Sequence, residues 1–584
     1  MRTQALALAA VAIAALSSLG SAQDARMRKK LIETGWDQPD TERLLANLAE
    51  MEKRPFDGVV IAVVGRVDEK KRCDLRETFA ATAWQREWFQ PCVADLRACK
   101  FKRFTDNFIV LGANPGNVDW FDDAGWRAIV EHWRIAAWVA KQGGVKGFLF
   151  DPEPYTAPHS QFHYAAQPER DKHSFDEYHA KARERGRQVM QAVAAEYPDI
   201  TLFCYFMNVV CGTATGHADP RRILAAQGYG LYPAFIDGWL DVIPPTVALV
   251  DGCEMAYTYN SVEQYLESAV LIKGACQELV SPENRAKYRA QTQVSFGMYL
   301  DAYWNPPKSP WFIDGKGGTR VDRLRANTAT ALRVADEYVW VYGERFRWWP
   351  TPNGGVKKET WPEAIPGSEA ALRFARDPLD YARSQIADLT KTGKLANLAR
   401  NGDFASDKAP SNKGPAEDWK EGRAPAGWHT WQAEKSKGTF TWDREVGYWV
   451  EPGQPHTLPR GMSFAPSRPS YGSAKAAGVA NGCFIQAHDV KPGERYAIRA
   501  VRRLAGKGDA FIRIRWQTAE GKWTAETLDV LIYGEGPREA WAEILGVAEV
   551  PQSAGRLLIL LCAMDQPSPA DAVWFDGVAL YRIE

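Results

Sequence analysis

Gly147-Phe148-Leu149-Phe150-Asp151-Pro152-Glu153-Pro154-Tyr155 is the stretch on which the reading of this chain turns. Its apolar run, Phe148 to Phe150, predicts a strand buried on both faces, as in a parallel sheet. Pro152 and Pro154 end its pairing, because neither can donate a ladder hydrogen bond. Asp151 and Glu153 therefore stand at a strand's exit, on one side of the chain, about 6.6 Å apart at roughly 3.3 Å per residue. Two carboxyls that close do not both ionise cheaply, so one of the pair is expected to hold its proton near neutral pH, as a general acid must. A solvated Asp-Pro-Glu-Pro turn would carry no such meaning, and the rest of the chain decides between the two readings.

Outward from this strand, strand-like and helix-like segments alternate, which predicts an α/β fold. Upstream, strands are expected at Lys29 to Trp36, Phe56 to Val64 and Asn107 to Ala113. Leu44, Leu48 and Met51 form the buried stripe of the helix between the first two. A helix from about Gly125 to Lys141, apolar at Ile129, Trp133 and Ala137, leads into Gly147 and is stopped by Gly143. Downstream, Ser174 and Glu177 make a capping box that opens a helix running to Tyr197. Further strands follow at Thr201 to Phe206, Val247 to Glu254, Gln293 to Tyr299 and Tyr338 to Gly343. Eight strands, each followed by helical sequence, predict a (β/α)8 TIM barrel over residues 23–390.

Such barrels do their chemistry where the strands end, and acids gather at these exits: Asp37, Asp151, Glu153, Glu254, Asp301 and Glu344. Aromatic residues crowd the same loops, and flat apolar faces beside acids suit sugar rings. Glu153, Asp151, Glu254 and Asp301 are the expected catalytic carboxylates. Trp36, Asp37, Tyr155, Tyr257, Trp304, Glu344 and Trp348 are the expected substrate-binding residues. His159, His163 and His173 fall in a loop with no helix to align them, so no metal is expected at the site, and no cofactor is required for catalysis.

Residues 1–22 read as a secretory signal cleaved near Ala22/Gln23, so a secreted or periplasmic location is expected. No later run approaches the ~18 apolar residues of a membrane span. The 72 basic and 72 acidic residues cancel without a basic block, which argues against nucleic acid and for a neutral ligand. Oligomeric state is left open. Nine cysteines at irregular spacing show neither a disulfide framework nor a zinc motif. Cys73, Cys92 and Cys99 are near enough in sequence for a loop bridge, whereas Cys204, Cys253 and Cys562 sit in apolar runs as buried thiols.

From about Asn397 the periodicity shortens to alternating runs between Gly and Pro, such as Arg495 to Val501, Ala510 to Trp516 and Arg556 to Leu561. This predicts a β-sandwich or jelly roll over residues 395–584.

Two resemblances add to these readings. Asp151-Pro152-Glu153 lies where the fourth-strand D-G-x-D-x-D-W-E pattern of the family 18, chitinase-like glycoside hydrolases has its final D-x-E. Glu254-Met-Ala-Tyr257 is loosely similar to that family's sixth-strand Met-x-Tyr-Asp. The sequence departs from the pattern at Leu149, in place of the middle acid, and at Pro152, in place of the aromatic residue. The resemblance implies Glu153 as acid/base and Asp151 as its orienting partner. Asn401-Gly-Asp-Phe404, Pro425-Ala-Gly-Trp428 and Val573 to Leu580 resemble galactose-binding-like carbohydrate-binding modules of families four and nine. That likeness implies a jelly roll with a structural calcium, for which Asp403 and Asp576 would be ligands.

The chain is thus expected to be an exported glycoside hydrolase acting on a poly- or oligosaccharide. The nucleophile is then Glu254, ahead of Asp301, or the substrate's own 2-acetamido group. The competing expectation is a non-catalytic carbohydrate-binding protein built on a degenerate glycosidase barrel.

Overall fold

A computed structural model describes residues 29–116, 118–155, 160–353, 355–404, 425–443, 446–448 and 472–583. The expected leader, residues 1–22, and His159 lie outside them. The chain divides into two compact units, Met1–Arg376 and Asp377–Glu584.

The first unit is built on one sheet. Its strands are β1 (Lys30–Gly35), β2 (Gly58–Ile61), β3 (Phe108–Gly112), β4 (Gly147–Asp151), β5 (Thr201–Cys204), β6 (Ala248–Asp251), β7 (Thr292–Val294), β8 (Gly297–Tyr299) and β9 (Tyr338–Gly343). They are ordered β8-β9-β1-β2-β3-β4-β5-β6-β7, and every pairing is parallel. The expected strand Gln293–Tyr299 is therefore divided. Ser295 and Phe296 interrupt it, and each piece pairs with a different neighbour. Across the break, Ser295 N donates to Asp251 O at 2.9 Å and Trp340 N donates to Phe296 O at 3.1 Å.

The sheet is curled on itself, because strands far apart in the order touch through their side chains. Phe108 of β3 and Phe203 of β5 lie 5.5 Å apart, and each meets Tyr338 of β9 at 5.5 and 5.6 Å. Trp340 and Tyr205 form the next layer at 4.5 Å. β4 is buried along its whole length, as its uninterrupted apolar run requires. At the mouth of the curl β1 and β9 come so close that a Cβ on Gly35 would stand 2.2 Å from Gly343 O; its φ of +130° is also one that only glycine adopts readily.

Helices fill the crossovers between successive strands, except between β7 and β8. The helix Asp123–Gly143 starts where Asp122 accepts from Ala124 N and Gly125 N, and it ends at Gly144, which takes a left-handed φ of 71°. The stop expected at Gly143 is thus one residue late. The capping box of Ser174 and Glu177 opens the helix Phe175–Glu196.

The second unit is a pair of antiparallel sheets. Its strands are β10 (His429–Gln432), β11 (Thr439–Asp443), β12 (Ser473–Ala477), β13 (Asn481–Asp489), β14 (Arg495–Ala505), β15 (Asp509–Gln517), β16 (Val530–Tyr533), β17 (Ala542–Glu549), β18 (Arg556–Met564) and β19 (Ala572–Arg582). One sheet runs β10-β13-β18-β15-β16 and the other β11-β12-β19-β14-β17. Phe484, Ile514, Trp516 and Leu561 from the first share one core with Ile498, Ile544, Phe575 and Leu580 from the second, as alternating strands in a sandwich must. This unit begins upstream of the expected boundary, because the helix Pro378–Lys391 packs on β17, with Arg383 3.6 Å from Glu543.

All nine cysteines are buried free thiols, so the loop bridge expected among Cys73, Cys92 and Cys99 is not made.

Candidate active site

The carboxyl ends of β1 to β5 and β9 frame a cleft of about 620 Å³. Asp151 reaches it because β4 stops there: Pro152 cannot continue the ladder, and Glu153 N turns back to donate to Asp151 Oδ1 at 2.9 Å. Trp36 and Tyr155 line the same cleft. They are among the few large rings left to solvent, 54% and 63% exposed.

Burial, then the neighbouring Glu153 carboxylate, push the Asp151 carboxyl up to about 7. This is the proton held near neutrality that the paired acids imply. Glu153 instead receives the Tyr155 hydroxyl on Oε2 at 2.5 Å. Asn114 braces the turn from below, accepting from Tyr155 N at 3.0 Å and donating to Glu153 O at 3.3 Å.

Glu254 follows β6 in a short 3-10 turn, Glu254–Thr258. Cys253 before it adopts φ 43°, ψ 62°, a left-handed conformation that costs a non-glycine residue on the order of 1–3 kcal/mol and must be imposed by its surroundings. The imposing group is Asp251, a fully buried carboxylate that accepts from Met207 N at 3.0 Å, Val209 N at 3.2 Å and Cys253 N at 3.3 Å. It ties the exits of β5 and β6 together, and Glu254 N in turn donates to Tyr205 O at 3.1 Å. Burial first, then Glu153 and Asp151, push the Glu254 carboxyl up to about 8. Three acids thus share one electrostatic field, with Glu344 at its edge, raised by burial despite the Tyr299 hydroxyl.

Tyr257 is buried rather than presented, its ring stacked on Tyr299 at 4.8 Å and on Tyr342 at 5.8 Å. Asp37 and Trp348, expected at the substrate, instead hold each other inside the protein. Asp37 Oδ2 accepts from Trp348 N at 2.8 Å and Trp349 N at 3.1 Å, while Oδ1 pairs with Arg43 at 2.8 Å. The Trp348 ring packs edge-on against Phe56 at 5.2 Å. Trp304 has the Arg345 guanidinium 4.8 Å and the Lys357 ammonium 5.4 Å from its ring centre, so cations occupy it rather than a sugar. Asp301 is buried, with Oδ2 accepting from Glu344 N at 2.9 Å and Oδ1 3.2 Å from Arg345. Its carboxylate is committed to bracing the exit of β9.

No motif marks Arg76, Glu77 and Gln38, which also line the cleft. Arg76 is gripped by Asp74, Nη2 to Oδ2 at 2.6 Å and Nε to both oxygens at 3.1 Å. Its charge favours the ionised form of Asp151, opposing burial. Tyr205, whose hydroxyl meets Thr34 Oγ1 at 2.8 Å, and Tyr342 complete the walls. All of these residues reach the cleft through tertiary placement, with no motif around them.

Among the described residues no group of three or more His, Cys, Asp or Glu could hold a metal ion. In the sandwich, the Asp576 carboxylate accepts from Tyr448 N at 2.7 Å and Gly577 N at 2.6 Å. No helix among the described residues is long and apolar enough to cross a membrane.

No protein-family profile matches the chain, and no curated protein matches it. Part of the chain is similar to solved structures. The enzymatically active domain of tailspike protein 4 of bacteriophage CBA120 is 16% identical over 32% of this chain and 21% of its own, with a TM-score of 0.21. A CBM4 structure is 16% identical over 32% and 99%, with a TM-score of 0.20. The arabinose-bound α-L-arabinofuranosidase MgGH51 is 14% identical over 32% and 27%, with a TM-score of 0.20. The chain spans about a fifth of the tailspike domain and about a quarter of the arabinofuranosidase.

Proposed function

We propose that this protein is an exported glycoside hydrolase. The observation that carries the reading is the cleft where Asp151, its carboxyl held protonated near neutral pH, lies with two exposed aromatic rings, Trp36 and Tyr155. Aromatic faces bind the apolar faces of sugar rings. A pair of carboxyls supplies the acid and the base that glycosidic cleavage needs. In this reading the curled sheet is a closed (β/α)8 barrel whose seventh strand is β7 and β8 joined across Ser295-Phe296.

Glu153 is the acid/base in this proposal, as the family 18 resemblance implies. Asp151 is its partner and proton reservoir, one backbone turn away. Glu254 is the second carboxyl, acting on the opposite side of the sugar. Replacing Glu153 by Gln keeps the shape and removes the titrating group. Turnover of a panel of polysaccharides should fall about 10²–10⁴-fold, the usual contribution of acid–base catalysis. Turnover within tenfold of wild type removes Glu153 from that role.

The sandwich supports a carbohydrate ligand independently of catalysis. The strand registers place Trp431, Cys483, Cys562, Phe511 and Tyr533 in one row across the outer face of its first sheet. Trp431 and Tyr533, at the two edges, are 51% and 63% exposed. An apolar floor between aromatic rims suits a glycan chain. If the barrel turns over no glycan and the sandwich still binds one, the binding-protein reading takes its place.

A further inference from the structure

The middle of that row holds two thiols. Cys483 of β13 and Cys562 of β18 are direct register partners in an antiparallel pair, and both belong to a small apolar cluster on the outer face with Leu558 and Leu560. Residues directly opposite in an antiparallel ladder have Cα atoms about 4.5 or 5.5 Å apart. Either distance lies inside the roughly 4.4–6.8 Å that a disulfide spans. Because both side chains leave the same face, their Cβ vectors run side by side. The seven other cysteines have no cysteine register partner on a neighbouring strand.

We propose that Cys483 and Cys562 are a modification site, a cross-strand pair oxidised to a disulfide by a small disulfide such as glutathione disulfide. In the first step one cysteine thiolate attacks glutathione disulfide. Its S–S bond breaks, a mixed disulfide forms and one glutathione leaves as the thiolate. In the second step the other cysteine thiolate attacks the protein-bound sulfur and the second glutathione leaves. Two electrons pass from the cysteines to glutathione disulfide, and the two thiol protons end on the two glutathiones.

The folded sheet is slow to react. Both thiols are buried, and the contact with Cys483, then burial, hold the Cys562 thiol well above its usual range. Thiolates, not thiols, exchange. The bond therefore forms as the chain folds or when the sheet opens, and once formed it locks β13 to β18 beneath Trp431 and Tyr533. It also closes a long loop, which restricts the unfolded chain and raises stability.

The test is made on the intact chain and does not depend on any enzymatic activity. Reduced, unfolded protein is refolded in a mixture of glutathione and glutathione disulfide, quenched with iodoacetamide in guanidinium chloride so that every remaining thiol is reached, and mapped by proteolysis and mass spectrometry without reduction. The expected product is a linked Cys483–Cys562 peptide pair, lighter by two hydrogens than the two separate peptides, with the other cysteines alkylated. The oxidised protein should also melt at a higher temperature than the reduced one. Cys483→Ser should leave Cys562 either alkylated or capped by glutathione and linked to no other cysteine, and if that variant does not fold the wild-type map decides alone. Alkylation of both cysteines in the refolded wild type, or linkage of either to a different cysteine, overturns the proposal.

Discussion

Asp151 and Glu254 are acids that the fold holds at unusual proton affinities, and this has two consequences. The first concerns stability. Folding raises Asp151 from 3.8 to about 7 and Glu254 from 4.5 to about 8, so each binds its proton more tightly folded than unfolded. Their contribution is complete below the unfolded values and is lost as pH rises through the folded ones. Stability to urea should therefore decline between pH 4.5 and 8. Asp151→Asn, which keeps an oxygen for Glu153 N, should flatten part of that decline; an unchanged pH profile in the variant would show that Asp151 is ionised throughout. The second consequence concerns catalysis. In the proposed reaction, Glu254→Gln should lower kcat by about 10²-fold or more and spare binding of an unreactive glycan by Trp36 and Tyr155. Equal losses in binding and kcat would make Glu254 a binding group instead.

Strand exits are where elements turn into a site, and Asp251 shows how. The end of β6 carries a carboxylate that no motif marks, yet it collects three backbone N–H groups from two loops and holds Cys253 in its left-handed turn. Asp251→Ala leaves those donors buried without an acceptor, at about 1–3 kcal/mol each where water cannot replace it. The expected outcome is a drop of several degrees in Tm and a loss of turnover larger than that fall in stability explains, because Glu254 is released. Asp251→Asn, which retains one carbonyl oxygen, should recover part of both. The pattern of alternating apolar runs was enough to place most strands. β4 and β9 fall where their apolar residues and terminating Pro152 and Gly343 put them, because a strand buried on both faces writes its whole length in side chains. The stretch from Gln293 to Tyr299 reads as a single strand, but its middle is broken at Ser295-Phe296. Alternation in sequence carries no record of which neighbour each residue pairs with.

For the whole molecule, the separation into two units gives a test of how they divide the work. A chain ending at Arg376 keeps every residue of the cleft. Shown first to be folded by circular dichroism, it should turn over small soluble glycosides as the full chain does. It should act more slowly on insoluble polymer, where a second binding face raises local concentration. Equal losses on both substrates would mean that the sandwich helps to build the active site. The sequence by itself determined the class of each unit, the D-x-E at the end of β4 and the solvent-facing rings beside it. Hydrophobic period, proline stops and caps are local signals that each segment carries within itself. Only the tertiary structure decided which exit acids stay available. Burial raises all four of Asp37, Asp301, Asp151 and Glu254, but Asp37 is paired with Arg43 and Asp301 with Arg345, and both accept from backbone amides beyond β9. Asp151 and Glu254 are raised furthest, to about 7 and about 8, because burial and neighbouring carboxylates outweigh the partners that reach them. That balance of desolvation against pairing is set by groups distant in the chain, and it exists only once the sheet has curled.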